Sequence, residues 1–357
     1  MPPFPAKKLP PVYLKSIYLR NFRNYVEAEA NFSPGLNVFY GDNAQGKTNL
    51  LEAIYLLATG RSFRTEHLTE LVREGETFFF LGAEIVHGGI TQTVKLSFEG
   101  QNRKLQLNAN HYTSFHPLLG LLPSVLYTPY DMELINGTPL ERRRFLNLHL
   151  AQSDPVYVHH LTRYWRALKQ RNCLLKTKKT EHLDLWEYEM AQSASYLSNA
   201  RQEMIDELKS PLELQSKHLS SEKEKHTLQL LLSQSKNYLQ QLQKNRPREL
   251  ELGFTLAGPH RDDLSLLIDN KPAKTFASEG QKKTAIAALR FAEWERLCKR
   301  TEGKALMGID DLGLHLDDTR LQTLKNRLDQ LGQVFLTTPN RFDQGHHIHI
   351  QNGNFEK

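Results

Sequence analysis

Residues 41–48 read Gly41-Asp42-Asn43-Ala44-Gln45-Gly46-Lys47-Thr48, the pattern G-x-x-x-x-G-K-[ST], and no other feature constrains the fold as strongly. The run follows Leu36-Asn37-Val38-Phe39-Tyr40, which has the length and apolar character of a buried strand. It leads into a helical pattern in which Leu50, Leu51, Ile54 and Leu57 share one face and Gly60 is placed to cap the end. A glycine-rich turn between strand and helix aims backbone N–H groups at one point, where the helix dipole also favours negative charge. Such a turn cradles a nucleoside triphosphate. Lys47 is expected to reach the β- and γ-phosphates, and the Thr48 hydroxyl to meet Mg²⁺.

The acidic counterpart of this cradle is an apolar strand ending in carboxylates. Ala305-Leu306-Met307-Gly308-Ile309-Asp310-Asp311 has that form. Asp310 is expected in the Mg²⁺ shell, and Asp311 where a carboxylate polarises water, so Lys47, Asp310 and Asp311 are the catalytic candidates. Lys47 and Asp310 lie towards opposite ends of the chain, which requires a head assembled from both. Between them, residues 77–107 alternate apolar and polar positions in short runs broken by turns, as an antiparallel β meander does. Residues 139–248 are rich in Leu, Gln, Lys, Glu and Ser and read as helices. One long helix, with Met190, Ala194, Leu197, Met204 and Leu208 at helical spacing, is expected to end or kink near Pro211. The run Leu228–Gln243 reads as a further helix. Strand signals return at 254–269, then a helix opening near Ser278, the Asp310 strand, a helix over 319–328 and the strand Gln333–Thr338. The expected architecture is α/β. A disordered leader covers 1–11, the head 12–115 and 250–357, and a mainly helical lobe 116–249.

The chain has 357 residues, two cysteines far apart and a net charge of +6. Two distant cysteines argue against a disulfide framework and for a reducing compartment. No apolar stretch approaches a membrane span, and the start lacks the apolar core of a secretion signal, so a cytoplasmic protein without a membrane partner is expected. The positive charge leans towards a polyanion. Arg142, Arg143 and Arg144 form the densest basic cluster, and Lys176, Lys178 and Lys179 a second. Each reads either as a contact to DNA phosphates or as an ordinary solvated face. His260 and Arg261 read equally as members of a buried ion pair or as groups near the nucleotide.

Ser278-Glu279-Gly280-Gln281 opens the helix upstream of the Asp310 strand. Alone it reads as an N-cap, with Ser278 capping Gln281, or as a second anion site. In this order and position it resembles the ABC signature S-x-G-Q. That resemblance implies that Ser278, Gly280 and Gln281 contact the γ-phosphate held by a second copy, making an ATP-dependent homodimer.

The chain as a whole resembles the RecF family of ABC/SMC-like ATPases. The segment Tyr13 to Tyr25, the stretch from Pro129 through Asp131, Gly137 and Pro139 to Leu146, and Gly258-Pro259-His260-Arg261-Asp262-Asp263 carry this resemblance together with the three nucleotide motifs. It implies an ABC-type P-loop head with an inserted helical lobe, ATP and Mg²⁺ as cofactors, and a slow ATPase used as a dimerisation switch. It also implies binding to double-stranded DNA at single-strand gaps, and action with RecO and RecR to load RecA. Ala44, Tyr130, Asn147 and Leu314 depart from the family's usual glycine, acidic residue, aspartate and serine. A related SMC-like ATPase with a mechanical or nucleolytic role, and a transporter ATPase subunit, are the alternative classes.

Overall fold

The computed structural model describes residues 12–220, 223–301, 303, 305–311, 328, 331–339, 341 and 343–356. The expected leader, Leu314, and the helix over 319–328 apart from Leu328 lie outside the described residues. The chain divides into two compact units. The first runs to Asp131, resumes at Ile286 and includes His218–Ser220; the second takes the rest of Met132 to Ala285.

The first unit opens with β1 (Tyr13–Phe22), β2 (Tyr25–Asn31), β3 (Leu36–Tyr40) and α1 (Lys47–Thr59). It continues through β4 (Phe78–His87), β5 (Ile90–Glu99), β6 (Asn102–Leu107), β7 (Asn110–Tyr112) and β8 (Ser124–Tyr127). The second unit holds α2 (Glu133–Asn136), α3 (Pro139–Ala151), α4 (Pro155–Lys176), α5 (Leu183–Ser220), β9 (His226–Leu231) and α6 (Tyr238–Leu252). Strands β10 (Asp263–Ile268) and β11 (Lys271–Pro272) and helix α7 (Ala273–Phe276) follow, and α8 (Glu279–Arg300) begins there and ends in the first unit. Strands β12 (Leu306–Ile309), β13 (Val334–Thr338), β14 (His346–Gln351) and β15 (Asn354–Glu356) complete the first unit.

Two six-stranded sheets build the first unit, in the orders β2-β1-β4-β5-β6-β7 and β15-β14-β3-β13-β12-β8. The former is antiparallel, as the alternation of residues 77–107 predicts. The latter is parallel except for β15. Helix α1 contacts β1 and β4 of one sheet and β8 and β13 of the other, so it is apolar on more than one face. Leu50, Leu51, Ala53, Ile54, Leu56 and Leu57 are all buried, in a single core with Phe79, Leu81, Leu306 and Phe335. Gln333 fastens the two sheets to each other: its side chain accepts from Leu14 N and donates to Leu14 O, each at 2.7 Å.

The second unit packs its helices with the antiparallel sheet β11-β10-β9. Three expectations change here. The division at 116 and 250 shifts, because β8 pairs with β12 in the first unit and β10 pairs with β9 in the second. The run from Leu228 begins as strand β9, not helix, since its backbone bonds are taken by β10; the helix starts only at Tyr238. Of the two outcomes expected at Pro211, an end is excluded: helix α5 runs on through it to Ser220. Leu208, Leu212 and Leu219 remain buried on its inner face, and that burial offsets the hydrogen bond that proline removes.

Candidate nucleotide site

Strand β3 ends at Tyr40 and the loop turns into α1 through two positions that only glycine fits. Gly41 and Gly46 have φ of 140° and 122°. A Cβ at Gly41 would lie 2.4 Å from Ile350 O, and one at Gly46 would lie 2.8 Å from Asn24 Nδ2. The loop is held from outside. Asn24 Nδ2 donates to Gln45 O at 3.0 Å, Tyr25 OH to Gly46 O at 3.0 Å, Gly353 N to Gln45 O at 3.0 Å and Asn352 N to Gln45 Oε1 at 2.7 Å. These four bonds use oxygen atoms of the loop and none of its N–H groups, which are what a phosphate requires.

Lys47 lies back along the loop, donating to Gly41 O at 2.5 Å and Asp42 O at 2.7 Å. Burial lowers its pKa, opposed by the charges of Asp311, Asp310 and Asp42. Asp42, Asn43 and Ala44 form the exposed crest. Ala44 has φ of 64°, the left-handed region where an L side chain costs about 1–2 kcal/mol. Glycine at this position would remove that strain at some cost in unfolded-chain entropy. Ala44→Gly is therefore expected to stabilise the first unit by up to about 1 kcal/mol, read as a rise of roughly 1–3 °C in melting temperature. A fall would contradict the strain argument.

Strand β12 brings the carboxylates to the same place. Asp310 N donates to Tyr127 O at 2.8 Å, fixing the strand end against β8. Asp310 Oδ1 accepts from Thr48 Oγ1 at 2.9 Å and from Thr337 Oγ1 at 2.7 Å. Asp310 is 6% exposed, and burial raises its pKa while the Thr337 and Thr48 hydrogen bonds oppose the shift. Asp311 has φ of 59° and donates its N–H to Thr337 Oγ1 at 2.8 Å. Its Oδ1 is buried with no hydrogen-bond partner among the described residues.

A hydroxyl and a carboxylate are the hard oxygen donors Mg²⁺ takes, and an ion bound to phosphates needs few others from protein. The pair Thr48 and Asp310 fits that ion, and no cluster of three or more His, Cys, Asp or Glu offers a different metal site among the described residues. Beneath the loop, the fully buried Glu52 of α1 accepts from Arg23 Nε and Nη2, each at 2.8 Å, and from Ser62 Oγ at 2.5 Å. Asn24, Thr337 and Glu52 are positioning residues that the motifs do not announce. Their only signal is the polar cluster Arg23-Asn24 between two strands, and a threonine ending an otherwise apolar strand.

Residues 13–342 match the profile of the RecF/RecN/SMC N terminal domain. The chain is 46% identical over 335 residues to the DNA replication and repair protein RecF of Protochlamydia amoebophila (strain UWE25), covering 91% of this chain and 93% of the relative. It is 41% identical over 334 residues to RecF of Chlamydia caviae, with 91% of each chain covered. The chain belongs to the RecF family. A solved structure described as the recombination mediator protein RecF-ATP in the RecFOR pathway superposes with a TM-score of 0.92 at 29% identity, covering 99% of this chain and 100% of the other. An Smc head domain from Pyrococcus furiosus superposes at 0.57 with 15% identity, covering 97% and 95%, and shares the fold.

The RecF segments now have physical roles. Arg23, Asn24 and Tyr25 of the opening segment support the phosphate loop and α1. In the second unit, the segments around 139–146 and 258–263 lock together. Arg142 donates to both carboxylate oxygens of Asp263, at 2.6 and 3.0 Å, and Arg143 to Asp262 O at 3.0 Å. Asp262 is buried against Arg201 at 2.6 Å, and Arg201 also donates to Asn147 Oδ1 at 2.9 Å. Gly258 has φ of 132°, and a Cβ there would meet the hydroxyls of Tyr238 and Tyr164 at 2.2 and 2.4 Å.

This corrects one expectation and narrows others. Arg142 is buried in an internal ion pair, so it is not a surface group for DNA phosphate. Arg143 is partly exposed, and Arg144 pairs with Glu141 at 2.7 Å. Lys176, Lys178 and Lys179 are exposed where α4 gives way to α5. Ser278 is exposed at the start of α8; its N–H donates to Gln281 Oε1 at 2.9 Å and its Oγ accepts from Gln281 N at 3.3 Å, a capping box beside Gly280.

His260 forms no ion pair among the described residues. Its Nδ1 meets Tyr164 OH at 2.6 Å, and burial lowers its pKa to about 4. An unfolded histidine titrates near 6.5, so between the two values the unfolded chain binds more protons. Stability is full above pH 6.5 and falls as pH drops towards 4, by about 3 kcal/mol in all. A His260→Gln chain is expected to show a flatter stability profile across that window in urea titrations; parallel profiles would reject the assignment.

Proposed function

We propose that this chain is an ATPase of recombinational repair that binds Mg-ATP, dimerises head to head through Ser278, and holds double-stranded DNA at single-strand gaps. In that role it acts with RecO and RecR in loading RecA, and its slow hydrolysis serves as a switch. The observation that carries the reading is the contact of Thr48 with Asp310 beside Lys47 in a loop only glycine can form. The names of the relatives and of the RecF-ATP structure support the repair context.

In this reading Lys47 exchanges its loop carbonyls for the β- and γ-phosphates, and the loop N–H groups neutralise the rest of the phosphate charge. Thr48 and Asp310 would hold Mg²⁺, which when bound offsets charge on the phosphate oxygens. Thr337 keeps Asp310 and the Asp311 backbone in register, and the unpartnered Asp311 Oδ1 accepts a proton of the attacking water. Ser278, exposed at a helix N-terminus, supplies its hydroxyl as a donor to the γ-phosphate of a second copy, beside the Gly280 backbone. The exposed Lys176, Lys178 and Lys179 supply non-specific DNA contacts, which weaken with salt.

Light scattering with Mg-ATP, with and without duplex DNA, tests this beside a Ser278→Arg variant. ATP should produce a dimer, DNA should increase it, and the variant should bind ATP yet remain monomeric. A wild-type chain that stays monomeric under every condition would leave Ser278 as a helix cap and remove the proposed switch.

A further inference from the structure

The antiparallel sheet turns Leu19, Phe79 and Leu81 into the core. Its other face carries a cleft of about 380 Å³ whose lining includes Tyr18, Arg20, Phe78, Phe80, Glu99 and Lys104. A solvent-facing sheet surface is ordinarily polar. Here three half-buried aromatic rings come together on it. Tyr18 and Phe80 meet edge to face with centroids 5.8 Å apart, and the Arg20 guanidinium lies 5.6 Å from the centre of the Phe78 ring.

The strand register sets the charges around the rings. Arg20 stands opposite Phe80, Phe80 opposite Ser97, and Ser97 opposite Lys104, in one row across four strands. At about 4.8 Å per strand, the two cations flank the aromatic floor with backbones roughly 14 Å apart. Neither has a carboxylate partner among the described residues. Glu27, opposite Arg20, instead accepts from Tyr18 OH at 2.8 Å, and Glu84 is paired with Lys15. Glu99, opposite Phe78 and two residues along β5 from Ser97, stands off the row that joins Arg20 to Lys104; it repels a continuous phosphate chain, which needs uniform positive charge, and leaves the two cations to separate carboxylates. A peptide bearing one aromatic side chain between acidic residues meets both requirements: its ring fills the floor, and its carboxylates face Arg20 and Lys104.

We infer that this cleft is a docking site for an acidic, aromatic-bearing peptide segment of a partner protein, separate from the nucleotide loop. The test is fluorescence anisotropy of the whole protein with a fluorescein-labelled Gly-Asp-Phe-Asp-Gly peptide. Two control peptides replace its Phe by Ala or both Asp by Lys, and a short labelled dT oligomer is run beside them. The acidic aromatic peptide should bind. Either control peptide, and either of the exposed-site variants Arg20→Glu and Lys104→Glu, should weaken binding by about tenfold or more. Melting temperatures and ATP binding of both variants should match wild type, which separates loss of the site from loss of the fold. Absence of binding, equal binding of the alanine peptide, indifference to both charge reversals, or tighter binding of the dT oligomer through Arg20 and Lys104 would each overturn the assignment.

Discussion

Replacing Lys47 by methionine will leave the chain folded and weaken its binding of Mg-ATP by roughly a hundredfold or more. Hydrogen bonds from a charged donor contribute about 1.5–3 kcal/mol each, and a lysine that reaches two phosphates forfeits at least two of them. Methionine keeps the aliphatic stem in its buried place beside the loop. The fold does not depend on the ammonium, because the loop is braced by Asn24, Tyr25 and Gly353, all of which act on Gln45 and Gly46. Titration calorimetry beside a melting curve separates the two effects. Unchanged affinity would show that Lys47 does not hold the nucleotide.

The largest effect on stability is expected at Arg171→Met. The guanidinium is fully buried and donates to Glu187 at 2.9 Å, to Glu249 at 2.6 Å and to Thr255 Oγ1 at 2.7 Å. Removing it leaves two buried carboxylates, of which Glu187 retains Arg246 and Glu249 retains, among the described residues, the Leu256 N–H alone. Breaking a buried pair in this way costs about 3–5 kcal/mol. Trp165 and Trp186 lie in the second unit and Trp294 in the first, so urea unfolding followed by tryptophan fluorescence in a Trp294→Phe background reports on the second unit. Adding Glu249→Leu should recover part of the loss, since the uncompensated charge and not the missing bond dominates. A midpoint shift worth less than 1 kcal/mol would mean that water reaches the site.

The phosphate loop and the Asp310 strand were legible because each is a local pattern: the chemistry requires particular residues within eight positions or at the end of one strand. Their partners were not, because Asn24 reaches the loop from a turn 21 residues earlier and Thr337 reaches Asp310 from 27 residues later. The meander over 77–107 was readable from alternation alone. Strand β9 was hidden by a leucine-rich run that fits helical spacing, and only β10, distant in sequence, decides its state. Arg142 looked like surface charge for the same reason. The carboxylate that takes it inside, Asp263, is 121 residues away and in the sequence resembles any other solvated acid.

The stitch between Thr48 and Asp310 spans 262 residues, and that between Leu14 and Gln333 spans 319. Ribosomes add about 5–20 residues each second, so a newly made phosphate loop waits on the order of tens of seconds for its aspartate. Through that interval the meander can close from neighbouring strands, but α1 lacks β12 and β13, and Leu50, Leu51 and Ile54 lack part of their cover. Nascent chains would therefore present a leucine-rich helix to chaperones before they can hold nucleotide. A half-synthesised head has the phosphate loop without the Asp310 carboxylate that meets Thr48.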